Sequence, residues 1–186
     1  MRVVGKRERV GLALALAIAS AFLLAACGGG EKQDANEEEG TWKVDVLSAS
    51  FPGRQRLSDH PELRITVKNV DDRTLPNLAV SVDGFNSRKE SGNISDPNRP
   101  IWVIDEGPEG AGTAFTNTWS VGPVPAGGTR TLVWKVSAVR AGTYTLRFRV
   151  GAGLQGKAKA ELPDGSAPAG SFIARVSDKT HPINLN

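Results

Sequence analysis

Few side chains in this sequence of 186 residues are of types that carry out chemistry. There are two histidines, His60 and His181, and one cysteine, Cys27. Both histidines precede proline in turn-like surroundings, and neither sits at HxH or HxxxH spacing. A zinc centre would therefore have to recruit distant carboxylates. No Gly-x-Ser-x-Gly elbow presents a nucleophilic serine. The acids Asp71-Asp72 and Asp105-Glu106 are adjacent in sequence. Neighbours on a strand point to opposite faces, so such a pair does not converge on one bond. Asp71-Asp72 reads more simply as a hairpin turn. No acidic loop has the spacing of an EF-hand. The expectation is a chain with no catalytic residues, no metal and no cofactor.

The segment that could recognise something is 84–120. It opens with a long polar stretch, GFNSRKESGNISDPNRP, and continues as IWVIDEGPEGAGTAFTNTWSVGP. Trp102, Asp105, Phe115, Asn117 and Trp119 together have the chemistry of a binding surface, with aromatics for stacking and polar groups beside them. The competing reading makes Trp102 and Trp119 core residues of a hairpin at 101–121, on the alternation Phe115, Asn117, Trp119, Val121. A third has Asp105, Glu106 and Glu109 surrounding Trp102 in a carbohydrate-binding or glycan-hydrolysing site.

The elements that position these residues have the two-residue apolar period of half-buried strands. Trp42, Val44 and Val46 alternate with Lys43 and Asp45. The same pattern recurs at Leu63–Val67, Leu78–Val82, Leu132–Val136 and Tyr144–Val150. Ile101–Ile104, Ala114–Val121 and Phe172–Val176 are further candidates, and GKAKAE at 156–161 suits an edge strand guarded by lysines. Turn-forming residues separate the runs, as at Phe51-Pro52-Gly53, Pro125-Ala126-Gly127-Gly128 and Pro163-Asp164-Gly165. No window after the N-terminal region has a helical apolar stripe. The prediction is an all-β, immunoglobulin-like antiparallel sandwich of about 7–9 strands over 41–186, with an irregular C-terminal tail.

The N-terminal region is different. A charged stretch precedes the apolar run GLALALAIASAFLL at 11–24, which as a helix reaches ~21 Å, short of a ~30 Å hydrocarbon core. This is the layout of a secretory signal. Residues 1–26 hold Arg2, Lys6, Arg7 and Arg9 against Glu8, and the rest of the chain has 19 basic and 19 acidic residues. The net charge of +3 therefore gives no reason to expect a nucleic-acid partner. Residues 27–40 are acidic and nearly devoid of aliphatic side chains, the composition of a flexible linker.

Leu24-Ala25-Ala26-Cys27 resembles a bacterial lipobox. The resemblance implies cleavage before Cys27, diacylglyceryl attachment to its thiol, and a lipoprotein anchored to the outer side of a bacterial membrane. Val139–Leu146 (VRAGTYTL) resembles the turn and strand of bacterial Ig-like modules in which a tyrosine forms a corner. By that resemblance the Tyr144 hydroxyl bonds back to the preceding loop. Leu63–Asn69 (LRITVKN) resembles the early strand of cell-adhesion-related, CARDB-like domains. The function these features imply is non-enzymatic contact with an envelope protein or a cell-wall polymer, and an inert spacer is the other expectation.

Overall fold

The computed structural model describes residues 36–88, 98–115 and 117–179. The predicted signal segment, Cys27, residues 28–35, residues 89–97 and His181 lie outside the described residues. Thirteen strands follow one another along the described chain: β1 Gly40–Ser50, β2 Arg54–Arg56, β3 Glu62–Asn69, β4 Ala79–Asp83, β5 Asn86–Arg88, β6 Asn98–Pro100, β7 Trp102–Glu106, β8 Gly112–Phe115, β9 Thr118–Ser120, β10 Thr129–Ala138, β11 Gly142–Gly151, β12 Ala158–Glu161 and β13 Ala169–Ser177. No helix appears among the described residues. One sheet has the order β12-β1-β3-β10-β7, a second has β2-β13-β11-β4-β9-β8, and β5 and β6 form a separate ribbon. The fold is an all-β sandwich of the immunoglobulin-like class.

The strands outnumber the seven to nine expected because several are three or four residues long, too short for a period of two to show. Most pairings are antiparallel, yet β1–β12 and β13–β2 are parallel. Outside the ribbon, only the link between β8 and β9 joins strands of the same sheet. Every other connection crosses from one sheet to the other. Two sequence expectations change as a result. Asp71-Asp72 lies between β3 and β4, which belong to opposite sheets, so it makes a crossover and not a hairpin. Residues 101–121 likewise form no single hairpin, since β7 is in one sheet and β8–β9 in the other.

The inward positions of both sheets fill one core. All four tryptophans, Trp42, Trp102, Trp119 and Trp134, are buried there. Trp119 and Trp134 meet edge to face at 5.4 Å, the arrangement that the ring quadrupole favours. Only two polar side chains, Gln55 and Asn69, are buried among the described residues. Asn69 uses both ends of its amide. Its nitrogen donates to the carbonyls of Arg73 (2.8 Å) and Val124 (2.9 Å), and its oxygen accepts from the Asp71 amide at 3.0 Å. The asparagine that closes the LRITVKN run thus joins the β3–β4 crossover to the 121–128 loop. Within that crossover the Asp71 carboxylate accepts the Lys43 amide at 3.0 Å and the Arg73 amide at 3.2 Å. These donors, Lys43 foremost, hold its pKa at about 2, against an ordinary 3.8.

The tyrosine corner forms as the resemblance implied: the Tyr144 hydroxyl donates to the Ala141 carbonyl at 2.7 Å. Gly142 lies beneath that ring at φ 146°, and a Cβ there would sit 2.6 Å from the hydroxyl oxygen. The 156–161 run is an edge strand as expected, with β12 bordering β1 alone.

Candidate functional site

The five candidate residues of the 84–120 segment do not form one surface. Trp102, on β7, is buried, and its indole N–H donates to Gln55 Oε1 at 2.7 Å. Phe51 and Tyr144 pack edge-on against its ring at 5.3 and 5.7 Å. Trp119, on β9, is buried against Trp134 and against Phe85, itself a core residue. Both tryptophans face inward because the positions they occupy on opposite sheets complete the aromatic core. The stacking platform is therefore replaced by core packing.

Phe115 is exposed, on the edge strand β8. Asn117 does not continue an alternation with it. The residue adopts φ 61° in the tight turn between β8 and β9, a conformation asparagine tolerates better than most side chains. Its carbonyl accepts the Val82 amide at 2.8 Å, tying the turn to the neighbouring strand.

Asp105 gathers partners that sequence reasoning did not bring to it. Its Oδ2 accepts the Ser137 hydroxyl at 2.7 Å, and the same hydroxyl lies 2.9 Å from His60 Nδ1. His60 Nδ1 is 3.6 Å from the carboxylate. Serine, histidine and aspartate thus meet on the outer surface, but in an order unlike a nucleophilic triad. A triad places histidine between the other two, each on its own ring nitrogen. Here serine and aspartate share Nδ1, and the hydroxyl proton points to the carboxylate. The serine is a bridge between loop and strand.

A register shift between Lys135 and Val136 also overturns the expectation for Asp105-Glu106. It brings both carboxylates to the outer face, Asp105 to Ser137 and Glu106 to Lys135 at 2.7 Å. Each acid is tied to its own partner, and Glu106 raises the pKa of Lys135. Among the described residues, no group of three or more His, Cys, Asp or Glu side chains is arranged to hold a metal.

Glu37 and Glu38, in the segment expected to be a flexible linker, are attached to the sandwich. The Glu37 carboxylate accepts the Ala158 amide at 2.8 Å and the Gln155 amide with its other oxygen. Glu38 lies 3.9 Å from Arg73, whose guanidinium covers the Trp42 ring and donates to the Thr41 carbonyl. Composition reasoning placed the boundary at residue 40 because it weighed apolar burial alone. The acids at 37 and 38 instead bind through charge-assisted hydrogen bonds and proximity to a cation, which hydropathy does not register.

No family model matches the chain, and no curated protein matches it. Solved structures similar to it include the CARDB domain of a Pyrococcus furiosus protein, solved with di-metal ions (14% identity, 74% of this chain and 93% of that one, TM-score 0.45). Others are a portion of Escherichia coli alpha-2-macroglobulin running from domain MG7 to the C-terminus (14%, 76% and 17%, 0.45) and PapD-like domain 7 of human CEP192 (11%, 82% and 98%, 0.44). At such identities the likeness is one of fold alone.

Proposed function

We propose that this chain is a lipid-anchored, extracytoplasmic contact module of a bacterial envelope. It is non-enzymatic and recognises an envelope protein or a cell-wall polymer with the outer faces of its sandwich. The observation that carries the reading is the lipobox Leu24-Ala25-Ala26-Cys27 directly after a short apolar run. Glu37 and Glu38 are attached to the folded body, so in this reading the linker expected over 27–40 joins the domain ahead of Gly40. Two or three acyl chains at Cys27 give the stable membrane hold that one chain does not.

The burial of Trp102 and Trp119 favours a second reading, an inert spacer, since it removes the aromatic surface on which recognition was expected to rest. The test has two parts. In a bacterial host that processes lipoproteins, the mature N-terminal peptide should begin at Cys27 and carry acyl mass, and Cys27→Ser should release the protein from the membrane fraction. Detergent-solubilised protein should then sediment with purified cell wall or crosslink to one envelope protein. An unmodified Cys27 rejects the anchor, and retention by neither target leaves the spacer.

A further inference from the structure

The balance of acids and bases along the sequence conceals a segregation between the two sheets. The strands of the five-stranded sheet carry six cations and five acids, joined in ion pairs such as Lys43–Glu161 (2.6 Å), Arg64–Glu62 (3.0 Å) and Lys135–Glu106 (2.7 Å). The strands of the six-stranded sheet carry five arginines, no lysine, no glutamate and one aspartate, a surplus of four positive charges. Arg54, Arg56, Arg147, Arg149 and Arg175 are all exposed, and all occupy outward positions of their strands. The acid, Asp83, lies 3.6 Å from Arg149.

Register orders these arginines into a row. Arg54 and Arg56 are two residues apart on β2, as are Arg147 and Arg149 on β11, a separation of ~6.6 Å in each case. Arg175 on β13 stands beside Arg54 and opposite Thr143. From the level of Arg56 to Arg149 the row runs ~26 Å along the strands. Between its ends the face shows the hydroxyls of Thr143, Thr145 and Ser171 and one apolar side chain, Ile173. A cleft of about 490 Å³ opens among Arg54, Arg56 and Arg175 at one end, with Asp59 also in its wall, where its carboxylate accepts the Arg56 amide at 2.7 Å, and one of about 480 Å³ lies beside Arg149 and Lys159 at the other. The row is also held in place: Gln55, between the two β2 arginines, turns inward to Trp102 and to the Pro52 carbonyl at 2.7 Å.

We propose that this face docks a linear phosphate-bearing polymer, laid along β11 and β13 from one cleft to the other. The inference deepens the contact-module reading and rests on it. Guanidinium forks bind phosphate bidentately and with fixed geometry, whereas lysine acts as a point charge, and the strands of this sheet carry arginine only. Paired cations ~6.6 Å apart match a chain that repeats its charge once per short unit. A flat lipid surface is the poorer fit, because the outward positions between the arginines offer no tryptophan or tyrosine for the headgroup region.

The test uses the full chain in uncharged detergent and long-chain inorganic polyphosphate as the probe, at 50 mM salt. Binding is expected, and Arg147→Gln with Arg149→Gln should weaken it at least tenfold. Arg54→Gln with Arg175→Gln should do the same independently. Each lost phosphate contact should make log K fall less steeply with log salt, because fewer counterions are released. Lys68→Gln with Arg130→Gln on the other sheet should leave affinity unchanged, and thermal melting verifies that every variant is folded. Arg147→Lys with Arg149→Lys keeps the charge and should recover only part of the affinity. No binding by the native chain, or equal binding by both arginine-pair variants, overturns the proposal. Retention on phosphatidylglycerol vesicles without affinity for polyphosphate overturns it in favour of a membrane face. The mass of the N-terminal peptide reports anchoring separately, so failure of one idea is not mistaken for failure of the other.

Discussion

The indole N–H of Trp102 and the side-chain oxygen of Gln55 form a buried hydrogen bond of 2.7 Å between the two sheets, β7 belonging to one and β2 to the other. Trp102→Phe keeps an aromatic ring in the core but orphans the Gln55 oxygen, and should cost about 1–3 kcal/mol in urea unfolding. In variants that retain one tryptophan, Trp102 and Trp119 should both resist acrylamide quenching. Ready quenching of Trp102 would contradict its place in the core.

Asn69→Ala removes two donated bonds and one accepted bond at a buried position. It leaves the Val124 carbonyl without its side-chain donor and unties the 121–128 loop from the crossover. A loss of about 2–3 kcal/mol is expected by chemical denaturation. Hydrogen exchange should accelerate at Leu75 and Val124, the pair that bridges the same two loops.

Asp71 sets an acid limit on stability. Its pKa is lower in the fold than in the unfolded chain, so the unfolded state takes up the proton first as pH falls. The stabilisation is complete above pH ~4 and drains away toward the folded value of about 2, amounting to about 2 kcal/mol. Asp71→Asn should lower stability at pH 7 and flatten the dependence between pH 4 and 2. An unchanged acid profile would remove Asp71 as its source.

The tyrosine corner can be weakened from either side. Tyr144→Phe loses the bond to Ala141 and should cost about 1 kcal/mol. Gly142→Ala should cost more, since the substitution places a methyl group under the tyrosine ring at a φ that L-residues avoid. Melting temperatures of the two variants rank these effects directly.

Glu37→Gln can keep only one of the two bonds to the 155–158 backbone, because the amide nitrogen it introduces is no acceptor. Exchange at the Gln155 and Ala158 amides should quicken, while global stability moves by less than about 1 kcal/mol. That outcome separates local attachment from support of the core.

Much of the sandwich is legible in the sequence because β1, β3, β10 and β11 run for eight or more residues, long enough for alternation to repeat. Tyr144 and Asn69 are legible too, each standing at a turn whose chemistry requires it. The partition of strands between sheets is not, because neighbouring strands here cross over instead of pairing, and periodicity carries no information about partners. Trp102 and Trp119 illustrate the cost. Glycine and polar neighbours give them the look of an exposed loop, the alternation through Trp119 supports core positions, and long-range packing decides for the core. The cluster of His60, Asp105 and Ser137 depends on residues 32 and 77 positions apart in sequence, together with a register shift. The arginine row is invisible for the same reason, since its members come from three strands and are offset in the sequence total by acids that lie outside the strands.

The change of partner within β1 has a mechanical consequence. Gly40–Lys43 pair in parallel with β12, and Val44–Ser50 pair antiparallel with β3. A pull on the chain ahead of Gly40, directed along the strand, meets the Glu37 attachment and then loads the rungs on both flanks together, in shear. The same pull directed across the sheet would open the four β12 rungs one after another. The sandwich is therefore stiff to tension in one direction and compliant in the other, and the direction of a pull at Gly40 determines how much force the domain transmits before it yields.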